Sequence, residues 1–489
     1  MNQLCRKAAV LLLFLTLGLI EISARDYARY YSSLPFETSV PVLPDIPSLT
    51  VSLADFGGKG DGVALNTEAF DSALGYLESK GGGRLEVGRG VWLTGPIVMR
   101  SNVELHLDKD AIVLFSPDKS LFPVIEADQG TKGSMRQPPV FAHNITNFAI
   151  TGDGVFDGNG EYWRPYKRFK VSDAEWKKLE RLKLKESSLY GSNVFYPTLT
   201  DPGDSLETKR ARLIRVTGCS RFLIGGVVVQ NSPSFHVNIV MSHDFVLDGI
   251  TVRCPWNAQN GDGIDLSSCQ RGLLVDCSVD CGDDAICLKS GIGDTGRQRG
   301  PCKDIVIAEC TVFHGHGGFV IGSDNSGGME NIMVSDCRFI DTDVGLRFKS
   351  GRDRGGLMTN IFVDSVVMCD IAGEAILFDS YYEEKVGDAY DAPGAPVTTD
   401  TPRFDGFRLS GIICRDAGTA ILCKGLREMP VDNVEIINSV FTARRGAVVN
   451  NAARFTLDNV TLAVPEGSGD AVTGNSKPQE KNLNIIYTR

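Results

Sequence analysis

Three aspartates lie in two short runs near the middle of this 489-residue chain. One run is Asn260-Gly-Asp262 and the other is Gly282-Asp-Asp284, so that 22 residues separate Asp262 from Asp284. That interval is close to the spacing at which hydrophobic segments recur along the chain. Two carboxylates stacked on neighbouring turns, with Asp283 beside them, can share the acid and base steps that break a glycosidic bond. The elements that carry them must then repeat with the same period.

Five hydrophobic segments share one pattern, in which residues alternate as in a β-strand and the last residue is serine. The segments are Asp262–Ser268, Asp284–Ser290, Gly317–Ser323, Val344–Ser350 and Glu374–Ser380. Their terminal serines recur at intervals of roughly 20 to 35 residues, within the range of solenoid repeats. Second short strands lie between them, at Ile305–Ile307, Ile332–Val334 and Ile361–Val363, and similar units run from about Val103 to Leu462.

Short β-rich segments at this period predict an all-β, single-domain, right-handed parallel β-helix. Equivalent residues on successive turns of such a helix lie about 4.8 Å apart. A β-sandwich or a propeller is the competing fold. Its turns should recur at a spacing of roughly 8 to 12 residues, and the segments here have no such rhythm.

The repeat also predicts which polar residues meet. Asp262 and Asp284 each lie two residues before an isoleucine, so they should be neighbours on successive turns. By the same register His316 should face Asp283 from the next turn, and the turn after that should add further side chains. Those side chains are Arg347 and Lys349.

Each of these groups has a chemical use. When carboxylates crowd together, one pKa rises and that group can carry a proton, which is what an acid catalyst needs beside ionised bases. Arg347 and Lys349 can pair with a carboxylate on a substrate. Aspartates that only cap turns are the structural alternative. They would not predict His316 in register. His314 is given no role, because the repeat offers it no comparable partner.

Four motifs together resemble the polygalacturonases, glycoside hydrolase family 28. They are Asn260-Gly-Asp262, Gly282-Asp-Asp284, Gly315-His-Gly317 and Arg347-Phe-Lys349, and the likeness runs from about Leu53 to the C-terminus. The resemblance implies inverting hydrolysis of α-1,4-linked galacturonic acid in pectin, without a metal or another cofactor. The expected partner is therefore a pectic polysaccharide or oligogalacturonide.

The resemblance also implies roles for individual residues. Asp283 would donate the proton to the leaving oxygen, and His316 would support its protonation. Asp262 and Asp284 would activate the attacking water. The residues expected to bind the uronate are Asn260, Arg347 and Lys349. The carboxyl groups should stand about 6.5 to 9.5 Å apart, as in other inverting enzymes.

The chain departs from the commonest pattern of the family at Gly261, where threonine is usual, and at Phe348, where isoleucine is usual. Neither position carries a reactive group. A tyrosine one turn after the Arg-x-Lys motif often contacts substrate in this family. Tyr381 and Tyr382 both fit that description.

Alternative functions remain open at this stage. A pectate lyase would share the fold but use calcium and an arginine base, and a non-catalytic β-helix would only bind carbohydrate. Within the family, endo cleavage or rhamnogalacturonan hydrolysis competes with exo cleavage. We predict exo cleavage, because the segments at residues 161–204 and 383–403 could close one end of a groove.

The ends and insertions of the chain depart from the repeat. Residues 1–24 read as a signal peptide, with a basic start and an apolar run too short to span a membrane, so the protein is expected to be secreted or periplasmic. Residues 25–48 are predicted to be an extended lead-in, and residues 49–489 the enzyme domain. An amphipathic helix at 66–80 should cap the N-terminal end of the β-helix.

The insertion at 161–204 is the most basic stretch of the chain. A capping box of Ser172 and Glu175 predicts a helix with Trp176, Leu179 and Leu182 on one face. Its positive charge is either a solvated face or a cationic wall beside the substrate. The chain as a whole carries a net charge of −11, which argues against nucleic acid as a partner.

Twelve cysteines lie between Cys219 and Cys423. Four of them recur once per repeat, and they are Cys277, Cys310, Cys337 and Cys369. This period predicts a stack of buried, unpaired thiols. A metal site at Cys277, Cys281 and Cys287 lacks the paired spacing of structural zinc sites.

Overall fold

The computed structural model describes residues 25–126, 134–187, 191–197, 209–384 and 393–488, so the predicted signal peptide lies outside the described residues. The chain divides into two compact units, at Val40 and Pro41. The described part of the first unit contains a 3-10 helix, Tyr27–Tyr31, because the side chain of Asp26 accepts a hydrogen bond from the backbone N–H two residues on. This turn interrupts the lead-in that was predicted to be extended.

The second unit begins earlier than residue 49. Asp45 already belongs to it, since its N–H donates to Oδ1 of Asn147 at 2.7 Å and its carbonyl accepts from Nδ2 of Asn147 at 2.8 Å. The rest of the unit is a right-handed parallel β-helix, as predicted, in which 34 strands form one hydrogen-bonded system. Each complete coil contributes one strand to each of three faces.

The first face carries the predicted site. Its strands are Ile97–Val98, Val140–His143, Ile214–Thr217, Val237–Val240, Ile264–Ser267, Asp284–Lys289, Gly317–Ile321 and Leu346–Lys349. The second face consists of Thr50–Ser52, Gly83–Val87, Val103–Leu107, Thr146–Gly152, Ser220–Gly225, His243–Asp248, Gln270–Val275, Cys302–Ala308, Met329–Ser335, Leu357–Asp364 and Arg403–Ser410. The third face consists of Gly90–Thr94, Ala111–Phe115, Val155–Asp157, Val228–Gln230, Thr251–Arg253, Ser278–Asp280, Thr311–His314 and Arg338–Ile340.

Toward the C-terminus the strands lengthen and bend through more than one face. These strands are Val367–Asp379, Ile413–Lys424, Asp432–Asn450 and Phe455–Pro465, followed by Val472–Thr473, Gln479–Lys481 and Asn484–Thr488. Two small antiparallel sheets stand outside the helix, one of Val124–Ile125 with Met135–Arg136 and one of Tyr166–Lys167, Lys185–Ser187 and Gly191–Tyr196. The remaining 3-10 turns are Leu53–Phe56, Lys119–Leu121, Gly160–Tyr162 and Arg168–Lys170.

The register of the first face is the one that the repeat predicted. Ile264 pairs with Ile286, Ile286 with Phe319, and the ladder continues through Leu346 to Ile376. These five side chains point into the core and are at most 1% exposed. Alternation along each strand therefore turns the intervening residues outward, toward the groove on this face.

A helix closes the N-terminal end, as predicted. It runs over Thr67–Ser79 and buries Phe70, Ala73, Leu74 and Leu77 against the first coils. Burial of each large apolar side chain contributes about 1.5 to 3 kcal/mol. Another α-helix, Gly293–Arg299, follows the strand that carries Asp284. Among the described residues, no helix is both long enough and apolar enough to cross a membrane.

The insertion contains the predicted helix, Asp173–Arg181, with the capping box of Ser172 and Glu175 in place. Trp176 is buried and stacks on Phe195 of the small sheet, with ring centroids 4.6 Å apart. Leu182 was predicted to share this face, but it is 62% exposed. The helix ends at Arg181, so Leu182 lies at the C-cap and outside the packed face.

All twelve described cysteines are free, and eleven of them are buried. The predicted stack holds for Cys277, Cys310 and Cys337, whereas Cys369 is only half-buried. The neighbouring thiol of Cys310, followed by burial, raises the pKa of Cys277 well above its usual range. In the described part of the chain the cysteines form no cluster that could hold a metal ion.

Candidate active site

The three aspartates of the two sequence runs meet at the edge of the first face. The N–H of Gly263 donates to the carbonyl of Asp284 at 3.0 Å, which places Asp262 and Asp284 on adjacent coils. One carboxylate oxygen from each of Asp262, Asp283 and Asp284 lies within 4.8 Å of the other two. The convergence follows from the strand register, because neighbouring strands are only about 4.8 Å apart.

Glycines allow the backbone to turn tightly here. A Cβ on Gly282 would lie 2.7 Å from the carbonyl oxygen of Trp256, closer than real contacts allow. At Gly261 a Cβ would lie 3.0 Å from Sγ of Cys254 and 3.0 Å from Cβ of Ala258. At Gly261, where the family commonly has threonine, a side chain would therefore press against Cys254 and Ala258.

Asp284 is held by two cations. Nζ of Lys349 lies 2.6 Å from its Oδ2, and Nη1 of Arg347 lies 3.1 Å from its Oδ1. Burial raises the pKa of Asp284, but Lys349 and Arg347 outweigh burial, and the pKa lies below its usual value. Asp284 is therefore an ionised carboxylate in the free site.

Asp262 has the opposite electrostatic environment. It is buried, its Oδ2 lies 3.3 Å from Nζ of Lys289, and its buried Oδ1 has no hydrogen-bond partner among the described residues. Burial, followed by the charges of Asp265 and Asp283, raises the pKa of Asp262 well above its usual value. Asp262 is therefore the carboxyl group of the triad that holds a proton most readily.

Two further charged residues share this site. Asp265 is fully buried and forms an ion pair with Lys289, the same ammonium group that contacts Asp262. Burial raises the pKa of Asp265 to about 6. Sequence reasoning missed both residues. On the strands Ile264–Ser267 and Asp284–Lys289, core residues alternate with outward residues, and this alternation places Asp265 and Lys289 on the outward side. That pattern could have identified both residues.

Asp283 is the most accessible carboxylate of the triad. Its side chain is 20% exposed, against 5% for Asp262 and 4% for Asp284. As predicted from the register, it faces His316, with Nδ1 3.2 Å from Oδ1. Burial raises the pKa of Asp283, but the hydrogen bond and charge of His316 bring it below its usual value. The raised pKa expected from crowding thus falls on Asp262 rather than on Asp283.

Asn260 is oriented by a buried arginine. Nη2 of Arg210 donates to Oδ1 of Asn260 at 2.8 Å, and Nη1 donates to the carbonyls of Gln259 and Pro233 at 2.7 and 3.0 Å. With Oδ1 engaged, the amide N–H groups of Asn260 are the ones available to a ligand. Arg210 precedes the repeat strand of its coil, so the periodic pattern did not point to it.

A buried histidine supports Asp262 from the neighbouring coil. The Nδ1 of His236 donates to the carbonyl of Asp262 at 2.8 Å, and its Nε2 accepts from the N–H of Ser232 at 3.2 Å. Burial lowers the pKa of His236 to about 4, so the ring is neutral and one tautomer satisfies both hydrogen bonds.

The basic insertion reaches the site through one lysine. Lys170 is buried, and its Nζ donates to the carbonyls of Ala258 and Gly282 at 3.2 and 3.1 Å. Those carbonyls belong to the segments that carry Asn260 and Asp283. By contrast, Lys177 and Lys178 are exposed on the helix. The helix therefore presents a solvated basic face, whereas Lys170 packs against the backbone of the site.

The structure distinguishes the two tyrosines. Nζ of Lys349 lies 5.0 Å from the ring centroid of Tyr382, so this tyrosine stands beside the site. Tyr381 is buried, and the Arg352 guanidinium lies 5.0 Å from its ring. Tyr382 is thus the tyrosine placed to contact a ligand.

His314 was expected to have no partner, and that expectation is wrong. Its Nδ1 lies 2.9 Å from Oδ1 of Asp280, and its Nε2 lies 3.2 Å from Oδ2 of Asp341. The repeat used for the prediction covered the first face, whereas Asp280 ends a strand of the third face. The repeat of the first face therefore did not predict the contact between His314 and Asp280.

A pocket of about 370 Å³ opens beside His316. Phe169 and Lys170 of the insertion line one side of it, and Trp256 and Gly282 line another. Phe169 and Trp256 are 78% and 67% exposed, so they present aromatic surface to solvent at its rim. Such surface can pack against the apolar face of a sugar ring.

Among the described residues, the aspartate triad is also the group whose geometry could surround a cation. Cationic side chains of the protein already form ion pairs with the triad, because Lys289 contacts Asp262 while Lys349 and Arg347 contact Asp284. The negative charge of the triad is therefore compensated within the chain, and its donors suit acid and base chemistry.

Comparison with known proteins identifies the family of the chain. The family model described as Glycosyl hydrolases family 28 matches residues 200–399. A probable polygalacturonase from Vitis vinifera is 30% identical over 405 residues, covering 80% of this chain and 73% of that protein. An exo-poly-alpha-D-galacturonosidase from Dickeya chrysanthemi is 24% identical over 412 residues, covering 80% of this chain and 66% of that protein.

A solved structure shows the same fold. The crystal structure of a hyperthermoactive exopolygalacturonase from Thermotoga maritima superposes with a TM-score of 0.72 at 29% identity, covering 86% of this chain and 94% of that one. Fold and site together define a parallel β-helix glycoside hydrolase. The chain belongs to glycoside hydrolase family 28, the polygalacturonase family. This membership decides for a hydrolase over the lyase and the non-catalytic β-helix.

Proposed function

We propose that this chain hydrolyses α-1,4-galacturonosidic bonds in polygalacturonate, with Asp283 as acid and Asp262 and Asp284 as the base pair. The observation that carries the proposal is the placement of the triad between the imidazole of His316 and two cations, Arg347 and Lys349, that contact Asp284. The accessible carboxylate, Asp283, is the one that can reach a glycosidic oxygen in the groove. The buried pair lies deeper, where a water can be held.

The acid step uses the pair formed by Asp283 and His316. One proton resides between Nδ1 of His316 and Oδ1 of Asp283, which are 3.2 Å apart. When the glycosidic bond lengthens, the leaving oxygen gains negative charge and becomes the better base, and the proton passes through Asp283 to it. His316 thus acts as the reserve from which the acid is reprotonated.

The base step uses two carboxyl groups with different charge. Asp284 stays ionised beside Lys349 and Arg347, so it can take up the proton of the attacking water. Asp262, whose pKa is raised, orients that water through its unpartnered Oδ1. The two carboxyl groups differ because two cations, Arg347 and Lys349, contact Asp284, whereas one, Lys289, contacts Asp262.

A free uronate is the proposed recognition element. Arg347 supplies a planar two-pronged donor, Lys349 a point charge, and Asn260 its amide N–H groups. Tyr382 beside Lys349 adds a hydroxyl and an aromatic face. These donors favour a carboxylate over its methyl ester, because an ester cannot offer two charged acceptors.

The stereochemistry needs its own test. The closest carboxylate oxygens of the triad lie within 4.8 Å of one another. Inversion is expected to need a larger separation, about 6.5 to 9.5 Å. Nearest oxygens lie closer together than the carboxyl groups that carry them, so we propose inversion, and retention with a carboxylate as nucleophile is the outcome that would contradict it. Proton NMR during early turnover distinguishes the two, since inversion gives the β-anomer first and a first product with α-configuration would establish retention.

Exo cleavage is proposed on the basis of the insertion. Phe169 and Lys170 line the pocket beside His316, so the insertion forms a wall at the site. Of the segment at 383–403, residues 385–392 lie outside the described residues and carry no part of the argument. Digestion of polygalacturonate with products resolved over time decides the mode. Early mono- or digalacturonate supports exo cleavage, and an early ladder of oligomers refutes it.

Export is proposed from residues 1–24 alone, and N-terminal sequencing of protein recovered outside the cytoplasm tests it.

The central test of the function is D283N. We expect it to bind polygalacturonate as the wild type does and to lose at least about a hundredfold in kcat. Undiminished turnover by D283N would remove Asp283 from the acid role.

A further inference from the structure

Two histidines of one turn are each bracketed by aspartates from the turns on either side. His314 contacts Asp280 and Asp341, at 2.9 and 3.2 Å. The strand register produces this arrangement, since Asp280 pairs with His314 and Gly315 bridges to Thr342. A second set of partners follows further along each turn, three residues on at Asp283 and two residues on at His316 and Asp343.

His316 repeats the pattern. Its Nδ1 lies 3.2 Å from Oδ1 of Asp283, and its Nε2 lies 3.9 Å from Oδ2 of Asp343. Asp343 is held in place by its backbone, because its N–H donates to the carbonyl of Gly315 at 2.9 Å and its carbonyl accepts from Gly373 at 2.7 Å. Its side chain is 66% exposed. An accessible carboxylate therefore faces the ring nitrogen that points away from the acid.

The charged groups around His316 come from every neighbouring element. They are Asp283 on the coil before it, Asp341, Asp343 and Arg347 on the coil after it, His314 on its own turn, and Lys170 of the insertion, which lines the same pocket as Asp341 and Asp343. Arg347 donates to the backbone carbonyl of His316 rather than to its ring. The carboxylates of Asp283 and Asp343 are therefore the groups that address the two ring nitrogens.

An imidazole between two carboxylates has a defined proton arrangement. A carboxylate near Nε2 favours a proton on that nitrogen, by attraction to the N–H and to the positive ring. Nδ1 is then left to exchange its proton with Asp283. Without the second carboxylate, either nitrogen could carry the single proton of the neutral ring.

We propose that Asp343 is a positioning residue that keeps Nε2 of His316 protonated, so that Nδ1 exchanges its proton with Asp283. The inference rests on the proposed acid role of Asp283. In a turnover, the proton shared by Nδ1 and Asp283 passes through Asp283 to the leaving oxygen as the glycosidic bond breaks, which leaves Nδ1 without a proton. The attacking water gives its own proton to the base pair, and that proton leaves to solvent while Nδ1 takes one up from solvent.

The chain contains a matched control. Asp341 contacts His314 in the same way that Asp343 contacts His316, but His314 does not contact Asp283.

We expect the alkaline limb of the kcat/KM profile of D343N to move to lower pH by about half a unit at low ionic strength, because one exposed charge at this distance acts with roughly that strength. Salt should reduce the shift. The D341N profile should overlie that of the wild type, and D343E should restore the limb.

A direct titration separates this inference from the proposed function. The sequence has six histidines, so ring proton signals can be assigned with H316Q. The His316 midpoint should fall in D343N and stay unchanged in D341N, and this readout does not require activity. A D343N protein whose His316 titration and rate profile both match the wild type would overturn the role of Asp343. Activity retained by D283N would overturn the proposed acid role of Asp283, and the His316 titration would still show whether Asp343 acts on the ring.

Discussion

Nζ of Lys349 lies 2.6 Å from Oδ2 of Asp284, and the two side chains are only 5% and 4% exposed. A buried pair of this kind costs desolvation on both sides, so its net contribution to stability is small. Removal of one partner is different, because it leaves the other charge buried and unpaired. The pair therefore ties the ionisation of Asp284 to the folding of the chain.

Replacement of this lysine tests the pair. K349M should lower the free energy of unfolding by about 3 to 5 kcal/mol, since the charge of Asp284 is then only partly compensated by Arg347. Urea unfolding followed by circular dichroism measures the change. The double variant K349M/D284N removes both charges and should recover most of the loss. If the double variant were no more stable than K349M, the pair would not explain the effect.

Substitution of Lys170 tests how the insertion supports the site. K170M removes the donor to the carbonyls of Ala258 and Gly282 and leaves both without that partner, so kcat/KM should fall about tenfold or more. K178M changes an exposed lysine on the helix of the same insertion and should retain wild-type kinetics. Steady-state rates on polygalacturonate compare the two. Equal losses in both variants would indicate a general effect of charge.

The buried histidine predicts a pH dependence of stability. The pKa of His236 is about 4 in the fold and about 6.5 when unfolded, so the unfolded chain binds more protons between these values. Its contribution to the free energy of unfolding is present above pH 6.5 and is lost as pH falls toward 4, by about 3 kcal/mol in total. Denaturant titrations across this range measure it.

Asp265 acts in the opposite direction over a similar range. Its pKa is raised to about 6, so the folded chain binds more protons below that value and stability falls as pH rises through it. The opposite effects of His236 and Asp265 on the free energy of unfolding overlap in the wild type. The difference between wild type and H236N should isolate the histidine, and it should rise with pH between about 4 and 6.5. A difference that does not vary with pH would mean that the pKa of His236 is the same in the fold as in the unfolded chain.

The orientation of Asn260 predicts a binding defect. R210M removes the guanidinium that engages Oδ1 of Asn260, so the amide can rotate and KM should rise about tenfold. N260A should raise KM by a similar factor, and R210M/N260A should be no worse than either alone. Initial rates over a range of polygalacturonate concentrations provide the comparison. Additive losses would place the effect of Arg210 elsewhere.

The sequence by itself determined the part of the site that lies on the repeat. Parallel strands stack at a constant spacing, so a residue's place in the repeat specifies its neighbour on the next coil. Asp262 beside Asp284, and Asp283 facing His316, follow from that rule. Arg347 and Lys349 follow from it too, as does the core ladder from Ile264 to Ile376.

Only the tertiary structure decided the rest, because segments outside the repeat have no period from which to predict a partner. Lys170 reaches Gly282 across 112 positions of sequence, and Arg210 reaches Asn260 across 50. The choice of Tyr382 over Tyr381 depends on which ring turns toward Lys349 after the strand ends. The pKa values depend on burial and on every nearby charge at once. Register could therefore place the aspartates together, but it could not show that the pKa of Asp262 is raised while that of Asp284 is lowered.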